Sequence, residues 1–177
     1  MGENIRDRLT RFNARQDNSI VLHAVPGHFA TSQSHINYYI DMTSLKSRSR
    51  EAREVARFLQ SASMHRIDMV DTIVCMDGTE VIGAFLAEEL EKNHISIANM
   101  HETIYVVSPE TNSANQFLFR ENTRPAVAGK HVLLLMASIT TGETARRSLE
   151  CIEYYGGIVE GVTGIFSTKS QVGGKQV

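Results

Sequence analysis

The stretch that most constrains the fold is His131 to Gly157, HVLLLMASITTGETARRSLECIEYYGG. It opens with an unbroken apolar run, Val132 to Met136. Such a run suits a strand covered on both faces, the situation of a parallel sheet flanked by helices. It closes with Ala145, Leu149 and Ile152 at helical spacing, stopped by Gly156 and Gly157. Between strand and helix lies Ala137 to Thr144, a turn rich in hydroxyls with one glycine. A helix that starts at such a turn leaves N–H groups unpaired, and its dipole favours negative charge there. The hydroxyls of Thr140, Thr141 and Thr144 add donors, and Gly142 lets the backbone approach a ligand closely. The expected ligand is a phosphate monoester, held by Ser138, Thr140, Thr141, Gly142, Glu143 and Thr144. Glu143 is an unfavourable neighbour for an anion unless its side chain turns to solvent.

A second strand–turn–helix unit precedes this one. Val70 to Met76 reads as a strand, Asp77-Gly78-Thr79-Glu80 as its turn, and Val81 to Lys92 as a helix. Two such units make a βαβ framework with a mostly parallel sheet. Cys75, at the end of a buried run with no basic neighbour in sequence, is expected in the core rather than as a nucleophile. Further strands are read at Thr103–Val107 and Ile158–Phe166, with a short one at Phe117–Phe119. A helix capped by Ser47 or Ser49 runs to Gln60, burying Ala52, Val55, Ala56 and Leu59. Its arginines, Arg48, Arg50, Arg53 and Arg57, read as a solvated face. The segment 1–18, with Ile5, Leu9 and Phe12, suggests a short amphipathic helix. Ser108 to Gln116 reads as a loop, and Val172 to Val177 as a tail.

Composition narrows the classes. A chain of 177 residues with 42% apolar and 21% charged content suits one soluble domain spanning 1–177. A net charge of −2 leaves no basic footprint for nucleic acid. No apolar run is long enough for a membrane span, so no membrane partner is expected. Two cysteines, Cys75 and Cys151, make no disulfide framework and imply a reducing, cytoplasmic setting. The seven histidines show no metal-ligand spacing, so no protein-held metal is expected.

The string Ile139 to Thr144, with the strand before it, resembles the 5-phosphoribosyl-1-pyrophosphate (PRPP) motif of type I phosphoribosyltransferases. In that motif two adjacent acids precede V-I-T-T-G-x-T. Here their places fall on Met136 and Ala137. A second segment resembles the N-terminal pattern of orotate phosphoribosyltransferases, roughly G-x-F-x-L-K-S-G-x-x-S-x-Y-Y-x-D. Gly27, Phe29, Ser32, Tyr38, Tyr39 and Asp41 fit it, while Thr31 and Gln33 replace its lysine and second glycine. Ser167 and Thr168 stand where that family has D-R, and only Arg120 and Glu121 echo its long lysine-bearing loop.

The resemblance implies an α/β fold, a mostly parallel sheet with helices on both faces. It adds a small N-terminal hood built from about residues 1–45 and the C-terminal end. It also implies a pyrophosphate loop at Asp77, Gly78, Thr79 and Glu80, and a base-side wall at Phe29, Tyr38 and Tyr39. Any Mg²⁺ would arrive on PRPP, and the assembly would be a homodimer. No catalytic residue is assigned. Three functions stay open: a divergent transferase moving 5-phosphoribosyl to a nitrogenous base, a nucleotide-binding or regulatory protein on the same fold, and a scaffold whose T-T-G loop only caps a helix.

Overall fold

The computed structural model of the protein describes residues 9–14, 18, 20–30, 35–62, 69–93 and 103–177. Its centre is a four-stranded parallel sheet of β4 (Thr72–Cys75), β5 (Tyr105–Val107), β8 (His131–Ile139) and β9 (Ile158–Ser167), in the order β5-β4-β8-β9. Helices α2 (Ser49–Ala62) and α3 (Glu80–Asn93) cover one face, and α4 (Glu143–Tyr154) covers the other. The apolar run of β8 feeds both cores at once. Leu133 and Leu135 point to the α2–α3 side, while Val132, Leu134 and Met136 point to the α4 side. Each is 1% exposed or less, which is why the run carries no polar alternation.

Tight contact between α3 and the sheet depends on Gly83. A Cβ there would lie 2.4 Å from Cys75 Sγ, so no larger residue fits without moving the helix. Cys75 is buried as the sequence suggested, and burial pushes its thiol up to about 12. The arginine face of α2 is less solvated than expected. Arg53 and Arg57 reach across to Glu88 and Glu89 of α3 at 3.1 Å, and Arg53 also stacks 4.2 Å over the Phe85 ring. Solvent screens these exposed pairs, so they orient the helices more than they stabilise them.

The N-terminal hood is a three-stranded antiparallel sheet of β1 (Thr10–Asn13), β2 (Val21–Ala30) and β3 (His35–Asp41). A five-residue helix, α1 (Thr43–Ser47), joins it to α2. The helix expected within 1–18 is corrected at Thr10–Asn13, where the chain is a strand with Phe12 opposite Leu22. Pairing with β2 outweighs a weak helical spacing there. The rest of that expectation falls mainly on residues 1–8, and Thr31, Ser32 and Gln33 also lie outside the described residues.

Two other expectations are corrected. Ser108–Gln116 holds β6 (Glu110–Thr111), which forms a hairpin with β7 (Phe117–Leu118) around Asn112, whose Oδ1 accepts the Ala114 and Gln116 N–H groups. The C-terminal tail is a hairpin, β10 (Gln171–Val172) and β11 (Lys175–Gln176), turned by Gly173 and Gly174 at positive φ. Val172 is buried with α4 and β8 side chains, so the end of the chain packs into that core.

Candidate functional site

β8 runs three residues past Met136 because β9 continues alongside it, Ser138 facing Phe166 and Ile139 facing Ser167. Ser138 is therefore in the strand, and the turn itself is Thr140 to Gly142. Gly142 caps α4 in the left-handed region, at φ +85. A Cβ there would also meet Val172 Cγ2 at 3.3 Å. Glycine is required twice over, by backbone angle and by packing. Thr168 braces the turn from just past β9: its hydroxyl donates to Thr140 O at 2.9 Å and its N–H to Ile139 O at 2.9 Å. The unfavourable acid is dealt with locally. Glu143 pairs with Arg146 on the next turn (2.7 Å), and that guanidinium holds its carboxyl below the usual range.

Beyond the carboxyl ends of β4 and β8 a pocket of about 590 Å³ opens between this turn and the hood. One wall carries Ser138, Thr140, Thr141 and Thr144. The opposite wall comes from β3 and α1, with Tyr38, Tyr39 and Lys46 among its residues, and Ala137 and Asp77 also line the cavity. This is the usual place for ligands in an open parallel α/β sheet. The wall of hydroxyls together with the N–H groups at the start of α4, of which Glu143's donates weakly to Thr141 Oγ1 at 3.4 Å, can hold an anion.

The other expected residues are divided. Of the turn after β4, Asp77 lines the pocket while Thr79 is fully buried, donating its hydroxyl to Met76 O at 2.9 Å. Glu80 is engaged by the Ser108 hydroxyl at 2.8 Å. Gly78, at φ +77, completes the turn beside Lys46. Phe29 does not line the cavity; it packs against Tyr39, ring centres 5.7 Å apart. Gly142 and Glu143 shape the helix start from behind. Met136 is 1% exposed and belongs to the core, whereas Ala137 reaches the pocket.

Sequence reasoning missed Lys46. Its ammonium donates to Asp77 O at 2.6 Å, tying α1 to the turn after β4. Among the described lining residues it is the one Lys or Arg, and Asp77 the one carboxylate. No spacing rule points to it, because it enters the pocket only through the packing of α1 against the sheet. A separate cleft of about 640 Å³ lies between the β6–β7 hairpin and α4, with Phe117, Arg147 and Tyr154 among its lining residues.

Solved structures carry the same fold. The chain superposes on orotate phosphoribosyltransferase from Aeropyrum pernix with a TM-score of 0.57 at 17% identity, covering 85% of this chain and 78% of that one. Adenine phosphoribosyltransferase from Leishmania tarentolae gives 0.53 at 17%, covering 76% and 65%. UMP synthase from Leishmania donovani gives 0.55 at 16%; the match covers 81% of this chain and 28% of the enzyme. No protein-family model and no curated protein matches the sequence. The chain thus has the type I phosphoribosyltransferase fold, in a divergent sequence. Among the described residues no helix is long and apolar enough to cross a membrane.

Proposed function

We propose that this protein binds the phosphate of a 5-phosphoribosyl compound or nucleotide in the pocket between the Thr140–Thr144 turn and the hood. The observation that carries the reading is the convergence in one cavity of the α4 start, four hydroxyl side chains and an aromatic wall at Tyr38 and Tyr39. The phosphate sits on the N–H groups that open α4, with Ser138, Thr140, Thr141 and Thr144 hydroxyls as added donors. A neutral aromatic base lies toward Tyr38 and Tyr39. Orotate is disfavoured, because Thr168 spends its hydroxyl on Thr140 O and brings no cation for a carboxylate. The protein works as a cytoplasmic homodimer, an assembly the family resemblance implies.

The chemistry favours binding over turnover. Phosphoribosyl transfer develops positive charge on the ribose, which nearby carboxylates stabilise. Ala137 offers none and Met136 faces the core. A divergent transferase is the second reading, favoured by Asp77, the one carboxylate among the described lining residues. Among the described residues no three His, Cys, Asp or Glu side chains gather to hold a metal. In that reading Mg²⁺ rides on the pyrophosphate of PRPP and supplies charge neutralisation there.

Isothermal titration with PRPP and then with nucleoside monophosphates tests both. Saturable binding that is lost in Thr141→Asp, through repulsion of the phosphate, supports the site. Equal affinity in the variant refutes it. Turnover of PRPP with any base at about 1–10³ per second would establish the transferase over the binder.

A further inference from the structure

Resting on that reading, we propose that Asp77 is the group that recognises ribose hydroxyls, held in place by Lys46, so that the pocket selects ribosyl over deoxyribosyl phosphates.

Three acids stand on the turns around the pocket, and the structure separates them. Glu143 is paired with Arg146, and Glu80 accepts from Ser108; neither lines the cavity. Asp77 does line it, and among the described residues no hydrogen bond engages its carboxyl. Its place follows from the sheet. Cys75 is opposite Leu135 in the parallel β4–β8 ladder, and Met76 N–H donates to Leu135 O at 2.9 Å. The chain then leaves the strand, and Asp77, in the turn at the carboxyl end of β4, lines the same cavity as Ala137. Ala137 is three residues before Thr140 on the strand that leads to the phosphate turn. A ligand whose phosphate rests on the α4 start and whose ribose extends along the cavity past Ala137 shares that cavity with Asp77.

The backbone around Asp77 is also strained. It has φ +59, one of two non-glycine residues with positive φ among those described. Strain of this kind persists only where surrounding contacts hold it, and it gathers at ligand sites. Here the holding contact is Lys46, whose ammonium is on Asp77 O. Lys46 has a second effect. With an ammonium next to the carboxylate the local charge is close to balanced, so a cationic ligand group gains little there. A neutral hydroxyl donor suits such a carboxylate best, and a vicinal diol can offer it two. Lys46 is a positioning residue in this account, acting through Asp77.

The experiment compares adenosine 5′-monophosphate with its 2′,3′-dideoxy analogue by calorimetry, on the native protein, Asp77→Asn, Lys46→Met and Lys46→Arg. Asparagine tolerates positive φ, so the first variant keeps the turn. The native protein should prefer the ribonucleotide by about 10- to 100-fold, the weight of a hydrogen bond to a charged group. Asp77→Asn should cut that ratio about tenfold or more, Lys46→Met should lower it, and Lys46→Arg should restore most of it. Equal native affinity for the two nucleotides overturns the proposal, as does a ratio that survives Asp77→Asn. Both results leave the phosphate site standing, since both nucleotides still bind. Failure of either nucleotide and of PRPP to bind at all would refute the phosphate site and this inference with it.

Discussion

Asp77 is held under two opposing influences. Burial of its carboxyl raises its pKa above the usual value, Lys46 pulls it down, and Glu80 pushes it up again. The net direction is upward, although the residue is open to the pocket. A carboxyl with a raised folded-state pKa binds its proton more tightly folded than unfolded. Its contribution to stability is present at low pH and falls as pH rises from the ordinary carboxylate range through the raised value. Asp77→Asn removes that cost. The variant should melt higher than the native protein near neutral pH, with the gap closing toward about pH 3. A lower melting temperature near neutral pH would show that Asp77 is a structural ion-pair residue instead. Stability gained while selectivity is lost is the expected mark of a residue kept for binding. At this scale the sequence was a partial guide. Thr140, Thr141 and Thr144 were legible because a hydroxyl-rich turn opening a helix is a local signal. Lys46 was not, since its partner Asp77 is distant in sequence and no local pattern couples them.

Among elements, β8 carries both core and site, and its two odd residues separate cleanly. Met136 faces the α4 core and Ala137 faces the pocket. Ala137→Asp should therefore fold and raise PRPP affinity, read by titration. Met136→Asp should lose several kcal/mol of stability by burying a carboxylate without a partner, read by denaturant unfolding. Similar behaviour of the two variants would contradict this assignment of faces. Gly142→Ala should cost about 1–2 kcal/mol for the left-handed backbone alone, with the Val172 contact adding to it. A melting curve matching the native one would deny that the C-terminal hairpin buttresses the turn. The long elements were legible from periodicity, β8 and α4 above all. The two-residue strands β6, β10 and β11 were not, and neither was β1, whereas β7 falls inside the short strand read at Phe117–Phe119. Such short strands have no periodicity to read and exist through their partners.

For the whole molecule, the parallel sheet and its flanking helices follow from two consecutive strand–turn–helix units, and both turns emerge on the same side of β4 and β8. The fold class was therefore readable from the chain's own pattern, while the hood and its base-side wall came only from the family resemblance. Sedimentation at micromolar concentration should give a dimer; a monomeric mass would remove the homodimer from this account. The most direct test of the phosphate site is a titration of the ¹⁵N-labelled protein with adenosine 5′-monophosphate, followed by amide chemical shifts. The account predicts that the largest changes fall on Thr140 to Thr144, with Asp77 and Lys46 next, and vanish in Thr141→Asp. Changes centred instead on the Arg147–Tyr154 cleft, or none at saturating nucleotide, would contradict it.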